Sequence, residues 1–176
     1  MTLDLALSAP EPTHLRRVFG AFPSGVTAIA ALIADAPVGM AASSFTSVSM
    51  DPPLVSVCIA HSSTTWPVLR DAKRFGVSVL SAAQAQACRQ LSGPRADRFA
   101  ALRWRVTPGG AIMLEGASAW LECSIAQHHP AGDHDIVVLR VHNLDADYEV
   151  APLVFHASQF CYLQPALPSG ATEDAA

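Results

Sequence analysis

Short apolar runs separated by turn-forming residues constrain this chain more than any other feature of its sequence. The run LVSVCIA (54–60) lies between Asp51-Pro52-Pro53 and a Ser/Thr cluster, and a bounded run of this kind is typical of a buried strand. Similar patterns predict further strands at 26–33, from 38 to about 45, at 74–80, 117–128, 135–144 and 153–163. Short helices are predicted at 14–22, from 66 onward, and from 81 or 82 to 91. The fold is therefore expected to be mainly β with a few short helices, closed or nearly closed into a barrel because closure removes exposed edges.

The length of 176 residues fits one domain. Residues 1–12 and 164–176 are rich in Ala, Pro, Ser and acidic side chains, so disordered tails are expected to flank a domain at 13–163. Only 15% of the residues are charged and 51% are apolar, whereas roughly 25% charged is usual. Part of the surface is therefore expected to be covered, most simply by a second copy in a homodimer.

Charge and cysteine usage exclude several classes of protein. The net charge of −4 gives no basis for binding nucleic acid, which favours a basic face. No apolar run approaches the ~18–20 residues of a membrane span, so no membrane partner and a cytoplasmic location are expected. The four cysteines are scattered without a C-x-x-C pair, which indicates buried apolar residues rather than disulfides or zinc ligands.

Common catalytic motifs are absent, and the histidines offer only a weak alternative. The sequence has no G-x-G-x-x-G, no G-x-x-x-x-G-K-[ST] and no G-x-S-x-G. His128, His129 and His134 lie in HHPAGDH and could ligate a metal. However, neighbours on a strand point to opposite faces, so His128 and His129 cannot share one ion without a bulge. No metal is expected, and His134 in its tight turn is better placed to contact a ligand.

Residues 39–66, GMAASSFTSVSMDPPLVSVCIAHSSTTW, form the most informative segment. Small side chains allow a ligand to approach the backbone closely, and hydroxyl groups with free N–H groups can hold an anion. The cluster at 62–65 precedes a predicted helix, so it indicates either a phosphate site at a helix N-terminus or a simple helix cap.

The order of the motifs along the chain resembles that of a known protein family. The chain reads in sequence FPSGVTAIAA (22–31), the 39–66 segment, FGVSVL (75–80), DRF (97–99), LEGASAWLEC (114–123), AGDH (131–134) and PLVFH (152–156). This set resembles the short-chain flavin reductase family, the reductase components of two-component flavin monooxygenases, over about residues 13–163. The resemblance implies an FMN-binding split β-barrel that dimerises and binds FMN or FAD near the subunit interface, with NADH or NADPH as co-substrate.

The same resemblance implies which residues form the site. The flavin would be lined by three strand segments, which are Met40, Ala41, Ala42, Ser43, Ser44 and Phe45, then Cys58, Ile59 and Ala60, then Ser78, Val79 and Leu80. Its phosphate would be held by Ser63, Thr64 and Thr65. The Gly132-Asp133-His134 turn would approach the nicotinamide, which makes His134 the candidate catalytic residue.

The expected function is an NAD(P)H:flavin oxidoreductase that supplies reduced flavin to a separate monooxygenase. Both reacting centres belong to cofactors, so the protein must position two rings rather than supply an acid–base pair. The alternatives are a non-catalytic flavin-binding or flavin-shuttling protein on the same fold, and a metal-dependent enzyme built on the histidines. Ala41 replaces a frequent family threonine, Ser78 replaces a frequent asparagine, and Leu139-Arg140 replaces a region that usually carries glycine.

Overall fold

The computed structural model describes residues 11–163. Helices α1 (Pro12–Phe19), α2 (Trp66–Leu69) and α3 (Ala85–Leu91) are short, and 3-10 turns lie at Ala82–Gln84 and Arg95–Asp97. The strands are β1 (Ser24–Gly25), β2 (Thr27–Ile33), β3 (Ala36–Ala42), β4 (Thr46–Met50), β5 (Pro53–Ala60), β6 (Phe75–Val79), β7 (Trp104–Val106), β8 (Ile112–Leu114), β9 (Ala119–Ala131), β10 (His134–Ala146), β11 (Leu153–His156) and β12 (Gln159–Tyr162). The predicted tails lie outside the described residues except for residues 11 and 12, and Pro12 already belongs to α1.

A seven-stranded antiparallel sheet organises the molecule. Its order is β3-β2-β6-β9-β10-β5-β4, so β3 and β4 are its two edges and no ladder joins them. Within the described residues the sheet is therefore split rather than closed. A three-stranded sheet, β1-β11-β12, and the β7-β8 pair complete the β-structure. We call the gap between β3 and β5 the split.

The longest hairpin joins β9 to β10 through the two-residue turn Gly132-Asp133. Gly132 has φ of +64°, which glycine adopts without the cost that a Cβ atom would impose. Because the turn is tight, its register places His134 opposite Ala131 on one side and opposite Ala60 of β5 on the other. The hairpin tip is thus held at the end of β5.

Two apolar cores lie on opposite faces of β2 and β6. Ile29 and Val77 face a core that contains Val57 and Leu139 and is covered by Trp66 of α2. The alternate residues of the same strands, with those of neighbouring elements, form the second core: Val26, Ala28, Leu80, Leu91, Leu114 and Leu153. Since successive strand residues point to opposite faces, the nearly unbroken apolar sequence of β2 serves both cores.

The predicted elements differ from the observed ones where a strand is polar or where a short turn interrupts an apolar run. Strand β4 reads TSVSM and is mostly exposed, so it lacks the apolar pattern of a strand. The predicted strand 153–163 is two strands, because Ala157 and Ser158 form a turn with φ of +48° and +63°. The segment 93–116, for which no strand is predicted above, holds the two short strands β7 and β8. No helix in the described part of the chain combines the length and apolar character that a bilayer crossing requires.

Candidate functional site

Side-chain contacts bring the three parts of the 39–66 segment together across the split. The Ser44 hydroxyl donates to the carbonyl of Cys58 at 3.0 Å and accepts from the Cys58 N–H at 2.9 Å. The Ser63 hydroxyl lies 3.9 Å from the sulfur of Met40. The end of β3, the end of β5 and the Ser/Thr turn therefore lie next to one another.

Arg98 fixes this arrangement from a distant part of the chain. Its guanidinium donates to the carbonyl of Gly39 at 2.9 Å, to the Thr65 hydroxyl at 2.7 Å and to the carbonyl of Gly93 at 2.9 Å. A planar guanidinium can satisfy several acceptors at once, which an ammonium group cannot do with the same geometry. Sequence reasoning quoted the DRF motif but missed this role, because the partners lie 33 and 59 positions away.

Strand pleating separates the residues predicted on β5. Cys58 is exposed, and Ala60 faces the same side of the sheet as its register partner His134. The side chain of Ile59, in contrast, is 1% exposed and belongs to the core. Only Cys58 and Ala60 can offer side chains to a ligand at this strand.

The hairpin tip holds His134 in a defined orientation. Its Nδ1 lies 2.7 Å from a carboxylate oxygen of Asp133, and the Asp133 carbonyl accepts the backbone N–H of His61 at 2.9 Å. The hydrogen bond with His134 lowers the pKa of the exposed Asp133 carboxyl. With Nδ1 engaged, the other ring nitrogen of His134 faces no partner within the described residues, which suits contact with a ligand.

A second carboxylate at the tip bridges two imidazoles. Asp135 lies 3.0 Å from His61 and 3.0 Å from His128, using one carboxylate oxygen for each. The hydrogen bond with His61 is the main cause of the lowered pKa of Asp135, and His128 adds to it. His129 instead contacts Gln127 at 3.0 Å, as expected for strand neighbours on opposite faces. Across residues 11–163, no group of three or more His, Cys, Asp or Glu side chains is arranged to hold a metal ion.

Two of the four hydroxyl groups of the Ser/Thr turn at 62–65 have partners among the described residues. Ser63 accepts the backbone N–H of Trp66 at 3.1 Å, which caps the start of α2. Thr65 is 2% exposed and accepts from Arg98. Thr64 is exposed and retains its hydroxyl for solvent or a ligand. The Ser63 hydroxyl is therefore engaged at the start of α2, whereas the exposed Ser62 and Thr64 have hydroxyls without a partner among the described residues.

The predicted residues on β6 lie behind the surface. Ser78 is fully buried, and its hydroxyl accepts the N–H of Leu114 at 3.0 Å. Leu80 is fully buried in the second core, while Val79 is half-buried opposite Thr27. Any contact between a ligand and Ser78 or Leu80 would have to use the main chain.

At the end of β3, the remaining predicted residues open into a cavity of about 270 Å³. We call it the Arg89 cavity, and it is lined by Val26, Ala41, Ala42, Ser43, Cys88, Arg89, Ser92, Phe155 and Phe160. The Arg89 guanidinium lies 5.0 Å from the centre of the Phe160 ring, and the rings of Phe155 and Phe160 pack edge to face at 5.6 Å. Met40 and Phe45 instead pack against the first core, which Ala42 also contacts. Sequence reasoning missed Arg89, because α3 reads as an ordinary polar-alanine helix.

Comparison with known proteins agrees with this fold. The flavin reductase like domain family matches residues 19–164. A flavin reductase from Pseudomonas putida is 38% identical over 154 residues, which cover 87% of this chain and 91% of that protein. The reductase subunit HsaB of a flavin-dependent monooxygenase from Rhodococcus jostii is 34% identical and covers 92% of this chain and 83% of its own. Two relatives from Rhizobium meliloti are longer, and the chain spans 42% and 57% of their lengths.

Among solved structures, the NADH:FAD oxidoreductase SgcE6 from Streptomyces globisporus, in complex with NAD and FAD fragments, superposes with a TM-score of 0.83 at 36% identity. The match covers 88% of this chain and 94% of that one. The chain therefore belongs to the flavin reductase-like family. The predicted family, the mainly β split-barrel fold and the class of activity, reduction of flavin by a nicotinamide nucleotide, are confirmed.

Proposed function

We propose that the split of this chain binds FMN or FAD and that the β9–β10 hairpin presents NADH or NADPH to it. The observation that carries the proposal is the register pair His134–Ala60, which sets the candidate nicotinamide residue beside the small residues expected to line the flavin. When bound, the nicotinamide nucleotide would supply a hydride and the flavin would accept it, with one proton taken from solvent.

We propose that the side chains of the protein bind the flavin and the nicotinamide and orient them relative to each other. Ala41, Ala42 and Ser43 let a planar ring approach the strand, and Ala60 does so from the facing strand. His134, oriented by Asp133, positions the nicotinamide over the ring. Holding two reactants in contact geometry can supply a large part of a rate enhancement without any acid–base group.

We propose that the reduced flavin leaves for a separate monooxygenase component, since several relatives are named as the reductase subunit or component of a flavin-dependent monooxygenase. The same proposal includes a homodimer, supported by exposed apolar side chains around the split. Met50 is 92% exposed and Val48 51%, both on the edge strand β4, and Ile136 is exposed beside Cys58. Pairing of such a surface between two copies would cover apolar area and an open sheet edge.

The cytoplasm is the compartment proposed, because it maintains the reduced nicotinamide pool.

The direct experiment measures oxidation of NADH and of NADPH in the presence of riboflavin, FMN or FAD, with flavin-free protein and protein-free flavin as controls. Oxidation that requires both protein and flavin is expected with at least one pair. A protein that binds flavin yet oxidises neither nucleotide would contradict the enzymatic proposal and favour a flavin-carrying protein on the same fold.

A further inference from the structure

The Arg89 cavity contains a charged group that binding of a flavin ring alone does not require. Arg89 projects from α3 over Phe160, and no carboxylate among residues 11–163 lies within 4.0 Å of it. A guanidinium with one face on an aromatic ring still offers its N–H groups and its other face, which suit a phosphate and a planar base. The cavity therefore pairs a cation with aromatic surface at the end of the split.

The available space extends beyond the cavity itself. A neighbouring cavity of about 610 Å³ shares Arg89, Phe155 and Phe160 with it and is further lined by Ala85, Ser158, Gln159 and Tyr162. Small-molecule sites have volumes of roughly 300–1,000 Å³. Arg89 and the two phenylalanines thus stand between two spaces, one beside the predicted flavin residues Ala41–Ser43 and one leading away from them.

Resting on the proposed function, we infer that the Arg89 cavity binds the adenosine diphosphate part of a dinucleotide, which is either FAD or the nicotinamide dinucleotide. The pyrophosphate contacts the Arg89 guanidinium, and the adenine ring lies against the Arg89–Phe160 pair. The Ser/Thr turn at the other end of the split has no cationic side chain of its own, and two of its four hydroxyls are engaged within the chain, whereas this end retains a charged group for a ligand. Arg89 is then a specificity residue that separates dinucleotides from mononucleotides.

The test compares Arg89→Ala with the unmodified protein by equilibrium binding and by kinetics. Binding of riboflavin, FMN and FAD is followed by flavin fluorescence, and KM is measured for NADH and for reduced nicotinamide mononucleotide. We expect roughly a ten-fold or larger loss of affinity for one dinucleotide, with its mononucleotide counterpart little changed, as for a lost hydrogen bond to a charged group. Loss confined to FAD identifies the flavin as the ligand, and loss confined to NADH identifies the nicotinamide nucleotide.

Two further variants keep the result interpretable. Arg105→Ala is the matched control, because Arg105 is also exposed and also lies over an aromatic ring, that of Trp120 at 6.0 Å. Arg89→Lys keeps the charge but not the planar group, and it should restore only part of the affinity. Equal losses for a dinucleotide and its mononucleotide, a loss that includes riboflavin, or no change in any affinity would overturn the inference. Because the flavin affinities are measured without turnover, a failure in those titrations is distinct from a failure to oxidise NAD(P)H.

Discussion

The two ends of the split differ in how many of their polar side chains form hydrogen bonds or ion pairs within the chain. At the hairpin end, the Ser63 and Thr65 hydroxyls and the Asp135 carboxylate all bond to neighbouring residues. At the other end, Arg89 lies against Phe160 and keeps its hydrogen-bonding capacity. The difference indicates a division of roles, since groups already paired can hold a binding surface in shape while an unpaired cation can attract a charged ligand.

The largest expected effect comes from the residue that holds the hairpin end in shape. Arg98→Ala removes the hydrogen bonds from the guanidinium to Gly39, Thr65 and Gly93. We expect the free energy of unfolding to fall by about 3 kcal/mol, the scale of a lost hydrogen bond to a charged group. Urea unfolding monitored by tryptophan fluorescence measures the change.

Arg103→Ala is the control for that substitution. Arg103 is 86% exposed and lies 3.7 Å from Glu115, so its removal should cost less than about 1 kcal/mol. Equal losses from Arg98 and Arg103 would show that Arg98 does not hold the surface together.

The next effect concerns His134, the residue expected to touch the nicotinamide. His134→Ala should lower kcat/KM for the nicotinamide nucleotide about ten-fold, the equivalent of one lost hydrogen bond of roughly 1.4 kcal/mol. Flavin affinity should change little, because the flavin is expected to rest on the strands rather than on the turn. His14→Ala, on the exposed face of α1, serves as the control in both assays. A large loss of flavin binding in His134→Ala would be inconsistent with this assignment.

A smaller effect distinguishes capping from phosphate binding in the Ser/Thr turn. Ser63→Ala removes the group that accepts the Trp66 N–H, so stability should fall by about 1 kcal/mol, while FMN and riboflavin affinities change equally. Thr64→Ala should leave stability unchanged and weaken FMN more than riboflavin, because only FMN carries a phosphate. Thermal unfolding and flavin titrations of the pair measure both quantities, and an FMN-specific loss in Ser63→Ala alone would reverse the roles.

The smallest effect is a pH dependence at the hairpin tip. The pKa of Asp135 is lower in the folded protein than its ordinary value of 3.8, mainly because of the hydrogen bond with His61. A carboxyl with a lowered folded-state pKa stabilises the fold above the unfolded-state pKa and loses that contribution as the pH falls through the folded-state value. The difference in melting temperature between the unmodified protein and Asp135→Asn should therefore be present near pH 6 and should shrink below about pH 4.

Asp71→Asn provides the comparison, since Asp71 is exposed and forms no ion pair with another described residue. The melting temperature of this variant should follow that of the unmodified protein across the series. A difference for Asp135→Asn that does not vary with pH would show that the carboxylate contributes through packing rather than through charge.

The sequence predicted the positions of several strands well, but it predicted the orientation of individual side chains less well. The runs at 26–33, 54–60 and 74–80 are observed as strands within one or two residues of their predicted bounds, because apolar periodicity reports burial directly. The open sheet was not predictable in the same way, since closure depends on whether two edge strands meet and no local pattern records that contact. Strand β4 was missed because an exposed edge strand needs no apolar face.

The candidate site shows the same limit at the level of single residues. The resemblance identified the stretches 40–45, 58–60 and 63–65, and the fold brings them together. Which side chains face a ligand depends on the pleat, so Cys58 and Ala60 face outward while Ile59 joins the core. Arg89 and Arg98 act through contacts far along the chain, and neither had a local signal that separated it from other surface arginines.

The most direct measurement of the central claim is a crystal structure with flavin bound. The account predicts that the flavin ring lies across the split, in van der Waals contact with Ala41–Ser43 and Ala60, with His134 beside its open face. A flavin bound instead in the separate cavity of about 310 Å³ lined by Arg105, Met113 and Trp120 would contradict it.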